Sequence, residues 1–389
     1  MLNLPYLTGA MQQGRIVLTV GLGLIVLISL QRCNSPGTTT DGIPVNPLDT
    51  VPVPEKLTLS HYRPESIFNI PHTEIVEARY PVIDLHSHPY AQSEEEIAAW
   101  VQTMDAVGLD KAVIMTYQTG SAFDSLVQLY SKYPNRFLLF CGFDYTGYDK
   151  MGYGPAAVTE LERCVAMGAK GVGELGDKGK GLFYSKPTPA WGMHIDDARM
   201  DPLIKRCGEL NIPISIHVAE PMWMYEPMDS TNDGLMNAFT WRLDNQRDIL
   251  DHAEMIQTLE NAIQKHPGTT FIACHYANCS YDLNILGRLL DRYPNLYADI
   301  GARYAETAAI PRFVRSFFNQ YADRLVYGTD MGNSPSMYRI TFRILETEDE
   351  HFYYPGYFTY HWPLHGYGLE DEVLKKVYRD NAIKIFGPL

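Results

Sequence analysis

The chain has 389 residues, 46% of them hydrophobic and 20% charged, enough for one large or two ordinary packed domains and too apolar for a disordered chain. A formal net charge of −14 and a pI near 5.3 argue against nucleic acid as a partner. Six cysteines without a CxxC pair give neither a zinc-knuckle pattern nor an evident disulfide framework.

In chain order, the first feature is an apolar run over 16–30 behind Arg15. It suits a signal-peptide core and is short for a span, which needs ~20 residues. Leu30-Gln31-Arg32-Cys33 resembles a lipoprotein cleavage box, with Arg32 as a departure from it. An uncleaved anchor over 1–33 is the competing reading, and both predict an exported protein, periplasmic or membrane-anchored. Residues 34–79 read as a linker and pre-barrel extension. Their first part is rich in Pro, Thr, Gly and Ser, and His61 and His72 read there as ordinary histidines.

From residue 80 to 389 strand-like and helix-like segments alternate. Val82-Ile83-Asp84-Leu85-His86-Ser87-His88-Pro89 reads as a strand whose end aims two imidazoles the same way, since residues i and i+2 share a face. Helix 94–107, strand 111–116, helix 123–133, strand 136–143, helix 154–167 and strand 170–174 follow. Then come helix 196–210, strand 212–217, helix 248–265, strand 270–275, helix 281–293, strand 296–300, helix 310–320, strand 324–330 and a closing helix 370–386. Eight strands alternating with helices predict a parallel sheet closed as a (β/α)₈ TIM barrel, with long loops after strands five and eight. An open doubly wound sheet is the rival, but no Gly-rich nucleotide fingerprint follows any strand.

The chemistry is predicted at the strand ends. His86 and His88 end strand one, Glu174 strand four, His217 strand five, His275 strand six and Asp330 strand eight. In a barrel these ends face one mouth, and imidazole with carboxylate suits zinc, manganese or iron. Singly, each has a plainer explanation: a strand-end histidine as a hydrogen-bonding group, Glu174 as a partner of Lys178 or Lys180, Asp330 as a turn residue. Cys141, Cys164, Cys207, Cys274 and Cys279 read as buried packing groups, with Cys274 facing away from His275.

On these residues the sequence resembles the metal-dependent amidohydrolase superfamily, in the amidohydrolase 2 branch that includes aminocarboxymuconate-semialdehyde decarboxylase. The matching pieces are Asp84-Leu85-His86-Ser87-His88, Ile216-His217, Cys274-His275, Val326-Tyr327-Gly328-Thr329-Asp330 and the ending 378–387. The resemblance implies His86, His88, His217 and Asp330 as ligands of one catalytic metal, most simply Zn²⁺. His275 is then a catalytic group or a second-metal ligand. Gly173-Glu174-Leu175-Gly176 is instead similar to the TatD-type hydrolases, where the glutamate bridges two metals. The expected reaction is metal-assisted hydrolysis of a small ester, lactone or amide, with Asp330 as proton carrier; the alternative is non-oxidative decarboxylation of a small carboxylic acid.

The substrate is predicted to meet the two long loops, 219–247 and 331–368, with Trp223 and Tyr225 as contacts. Their aromatic residues suit an apolar, cyclic or sugar-like ligand, and equally well suit packing of lid on lid or on a second subunit of a homodimer. Arg303 is a candidate carboxylate anchor, or a partner of Glu306.

Overall fold

Eight short apolar runs become the strands of one parallel sheet: β1 (Val82–Ser87), β2 (Leu109–Met115), β3 (Phe137–Cys141), β4 (Gly171–Asp177), β5 (Ile214–Val218), β6 (Phe271–Ala273), β7 (Leu296–Asp299) and β8 (Leu325–Val326). They lie side by side in sequence order. The computed structural model describes residues 56–183, 188–354 and 356–389. The predicted export segment, Cys33 and most of the tether lie outside the described residues. No helix among the described residues is long and apolar enough to cross a membrane.

The sheet curls until its two ends meet. The Leu85 N–H donates to the Tyr327 carbonyl (2.9 Å) and the Asp330 N–H to the His86 carbonyl (2.8 Å), which draws β8 against β1. The fold is therefore the predicted TIM barrel, nearly closed. Alternate strand residues build its interior. Ile83, Leu85, Val113, Met115, Leu138, Phe140, Ile272, Cys274 and Val326 pack together there, apart from the larger core shared with the helices.

Local sequence explains the outer helices. Glu94–Val107 starts at Ser93, whose side chain accepts the Glu96 N–H, carries three glutamates in its first turn, and stops at Gly108 in the left-handed conformation. It buries Ile97, Trp100, Met104 and Val107 along one face. His252–Lys265 begins with a capping box between Asp251 and Glu254.

One predicted loop contains a helix. Within 331–368, Pro335–Glu346 is helical and buries Tyr338, Phe342 and Leu345. Tyr338 accepts a hydrogen bond from the Trp100 indole (3.0 Å), so this helix takes the place beside the first one. Ser334 and Pro335 look like turn residues but act as N-cap and first helical residue.

Helices Gly120–Tyr130 and Pro155–Ala166 are tied by Glu160, which accepts the Gly120 N–H (2.7 Å) and the Arg163 guanidinium (2.8 Å). The Arg163 hydrogen bond is the main cause that holds the Glu160 carboxyl down at about 2. A carboxyl depressed in the folded state stabilises above its unfolded pKa and ceases to do so as pH falls through the folded one. Glu160→Gln should thus cost about 1 kcal/mol at neutral pH. The difference in urea midpoint from the parent should shrink as pH drops from 4.5 toward 2.

Candidate metal centre

Leu85 points into the barrel, so strict alternation would turn His86 outward. A bulge reverses this: Asp84 pairs with Ala112 but Ser87 with Ile114, so β1 spends one extra residue on the same length of β2. Asp84 holds the bulge. Its Oδ1 accepts the N–H groups of His86 (2.9 Å) and Thr329 (3.1 Å), and its Oδ2 the hydroxyls of Ser87 (3.0 Å) and Thr329 (2.6 Å). Burial pushes the Asp84 carboxyl up to about 6 in spite of these bonds.

A second device follows β6. Cys274 belongs to the interior cluster, and alternation would send His275 away from it. Instead His275, Tyr276, Ala277 and Asn278 all adopt left-handed backbone, with φ of 61°, 55°, 54° and 54°. The turn swings the imidazole back over the barrel, so the expectation that Cys274 and His275 face opposite ways is corrected. Each such non-glycine residue costs ~1–2 kcal/mol. The run is held by the His275 N–H on Asp299 Oδ1 (3.0 Å) and by the Asn278 amide on the Val218 carbonyl (2.9 Å).

The six predicted residues converge. Glu174 is not the last residue of its strand; it lies within β4, ahead of Asp177. Its Oε1 stands 3.1 Å from His217 Nδ1, 3.2 Å from His275 Nε2 and 3.8 Å from His86 Nε2, and its Oε2 lies 3.7 Å from His88 Nε2. Asp330 Oδ1 lies 2.9 Å from His88 Nε2 and 3.4 Å from His86 Nε2, with Oδ2 3.7 Å from His275 Nε2. Glu174 therefore sits between two histidine pairs.

The outer nitrogen of every imidazole is already engaged. His86 Nδ1 donates to Asp299 Oδ2 (2.9 Å), His88 Nδ1 to the Met115 carbonyl (3.1 Å), His275 Nδ1 to the Gly301 carbonyl (2.9 Å) and His217 Nε2 to the Ala219 carbonyl (2.9 Å). A neutral imidazole that donates on one side has only a lone pair on the other. With all four rings neutral, four lone pairs would face two carboxylates; a proton on a ring, which the carboxylates beside His86 and His217 favour against burial, or a cation among them removes the conflict. His86 Nε2 is buried and completes no hydrogen bond. The set fits a divalent metal with imidazole and carboxylate ligands. Two trios in particular lie close enough to share an ion, His86–His88–Glu174 and Glu174–His217–His275.

Burial alone would push the carboxyls of Glu174 and Asp330 up, but the positive charge and N–H groups of protonated imidazoles around them outweigh it and hold both well below the usual carboxylate range. Burial pushes His275 down and favours its neutral form. Asp330 keeps 22% side-chain exposure against 4% for Glu174, so of the two it is the carboxylate that solvent protons can reach.

The predicted substrate contacts fare differently. Arg303 is buried and already paired: Nε donates to Asn278 Oδ1 (2.9 Å), and its terminal nitrogens lie 3.6 Å from Glu220 and from Glu306. It does not present a free guanidinium to a carboxylate. The Tyr225 hydroxyl faces inward to the Glu220 backbone (3.3 Å), and its ring packs edge-on against His252. Trp223 does line a cavity, beside Trp362 from the other lid at 6.0 Å between ring centroids.

Asp299, Asp84 and Glu220 had not been singled out. Asp299 ends β7, where the criterion that found Glu174 and Asp330 applies equally well. Asp84 lies two residues ahead of the His-x-His pair, on the same strand. Glu220 follows β5, stands 3.6 Å from His217 Nε2 and pairs with Lys178, leaving little in sequence to mark it. Gly328 is required for close approach, because a Cβ there would fall 2.6 Å from the buried His86 Cβ. Gly328→Ala should cost roughly 1–3 kcal/mol by overpacking and displace His86. Thermal denaturation with metal content on the same sample checks both effects.

A family model described as amidohydrolase (Amidohydro_2) matches residues 72–387. No curated protein matches the chain. Among solved structures, an uncharacterized TIM-barrel protein from Bordetella bronchiseptica is 17% identical, with 78% of this chain and 98% of that one covered at a TM-score of 0.52. A 2,6-dihydroxybenzoate decarboxylase from Rhizobium is 18% identical, covering 79% and 98% at 0.48. A 5-carboxyvanillate decarboxylase from Novosphingobium aromaticivorans, solved with manganese, is 17% identical, covering 82% and 100% at 0.49. At such identity the likeness reaches the fold and stops there.

Proposed function

Since the chain belongs to the amidohydrolase family and is a metal-dependent enzyme of that superfamily, we propose that it hydrolyses a small-molecule ester, lactone or amide. The observation that carries this reading is the place of Glu174 between two histidine pairs, each completed by its carboxylate. Such a shared carboxylate suits a two-ion centre, with His86, His88 and Asp330 on one side and His217 and His275 on the other. Zn²⁺ is the proposed ion, with Mn²⁺ and Fe²⁺ suited by the same donors. A divalent cation supplies Lewis acidity there when bound.

The chain's own residues do the rest. Asp330 takes a proton from the attacking water at a carboxylate oxygen and passes it to the leaving group. Of the two roles open to His275, ligand and hydrogen-bond donor to substrate, the inward lone pair favours the ligand. Asp299 and the backbone carbonyls of Met115, Ala219 and Gly301 orient the four rings.

Decarboxylation of a small carboxylic acid, the activity named for two of the structures above, is the second reading. Metal analysis of the purified protein, with a panel of esters, lactones, amides and hydroxybenzoates, separates the two. Two ions per chain and acid release fit the first. One ion with carbon dioxide release replaces it by the second. Localisation by the N-terminal segment and a homodimer are proposals that fractionation and solution mass measurement test.

A further inference from the structure

Over the barrel mouth lies a cavity of about 420 Å³. Its walls are Trp223 from the loop after β5 and Trp362 from the second lid, with Tyr281 beside them. Trp223 is fixed by a hydrogen bond from its indole to Asp233 Oδ1 (2.5 Å), and Trp362 by stacking on Tyr360 at 4.3 Å and by its indole on the Ala305 carbonyl (3.0 Å). Three carboxylates line the cavity, Glu226 and Asp233 at the exposed rim and Glu306 buried at its floor, and among the described residues no lysine, arginine or histidine does. Glu306 accepts from Tyr360 (2.6 Å) and Ser280, and stands 3.6 Å from Arg303, which is shared with Glu220. Glu220 in turn lies 3.6 Å from His217, so a short run of side chains links the cavity floor to the metal centre.

We propose that this cavity is the specificity pocket of the enzyme and takes a cationic group, a quaternary or protonated amine, on the substrate. Rigid aromatic faces attract a cation through the ring quadrupole, and desolvation strengthens the contact. Glu306 is balanced by Arg303, so it is the rim carboxylates Glu226 and Asp233 that add to the attraction and repel an anionic group. The volume lies within the range of small-ligand pockets. The inference rests on the reading of the centre as the reaction site, and it narrows the substrate to amine-bearing esters, lactones or amides.

The test is binding, with no turnover required. Benzyltrimethylammonium and its uncharged carbon isostere, neopentylbenzene, are titrated into the intact purified protein and followed by tryptophan fluorescence and calorimetry. The cation should bind at least about tenfold more tightly, the equivalent of ~1.4 kcal/mol. Glu226→Gln, an exposed change that leaves folding alone, should weaken the cation about threefold and leave the isostere unchanged. Trp362→Leu should weaken both. Equal affinity for the two probes, no binding of either, or a cation affinity indifferent to Glu226→Gln and Trp362→Leu each overturns the proposal. Failure of the hydrolase reading would show in metal content and acid release, and leaves this readout intact.

Discussion

Asp330→Asn should lower turnover by about 10²–10⁴-fold, the usual contribution of a positioned acid–base group. The change is isosteric and keeps one oxygen acceptor facing the imidazoles, so much of the metal should stay. What disappears is the capacity to take up and release a proton at a carboxylate with 22% exposure, beside His88 Nε2 at 2.9 Å. Its anionic state is secured, against the opposing pull of burial, by His86 and His88 when their rings carry a proton toward it. The check is kcat with metal content on one preparation. Unchanged turnover would sink the proton-carrier role, and parallel loss of metal would recast Asp330 as a ligand alone.

Asp299→Asn should weaken metal retention by about 10–100-fold, as removal of a ligand-orienting partner commonly does. Asp299 serves two strands at once. Oδ2 accepts the His86 ring N–H (2.9 Å), while Oδ1 accepts the N–H groups of His275 (3.0 Å) and Gly301 (2.9 Å). All of these are donors. An asparagine must turn its own NH₂ toward one group, and two donors then oppose each other in a site with no exposure. Competition with a chelator, read by mass spectrometry, measures the effect. Parent-like affinity would mean that the His86 ring is fixed by packing instead.

Much of this architecture was legible because strand-end residues recur with the period of the fold. His86, His88, His217, His275 and Asp330 each follow an apolar run, and the barrel rule alone places them at one mouth. What misled was strict alternation. It takes no account of the β1 bulge, nor of the left-handed turn after β6, and so it put Cys274 and His275 on opposite faces. Both departures depend on distant hydrogen bonds, from Thr329 to Asp84 and from His275 to Asp299, which no local pattern encodes. Arg303 shows the same limit: Glu306 was visible three residues on, while Glu220 reaches it only through the fold. The helix Pro335–Glu346 was lost to its opening Ser-Pro, which serves a loop and an N-cap alike.

The seam between β1 and β8 has a consequence for how such a chain matures. β8 is two residues long, and what fastens it to β1 is Leu85 to Tyr327, His86 to Asp330 and the grip of Asp84 on Thr329. Those fasteners are neighbours of the proposed metal ligands, His88 and Asp330. During synthesis the amino-terminal strands wait for them, because residues 327–330 leave the ribosome after the first seven strands. Ring closure thus brings His86 and His88 to Asp330, and a nascent barrel gapped at this edge lacks the half of the proposed centre that those three residues form.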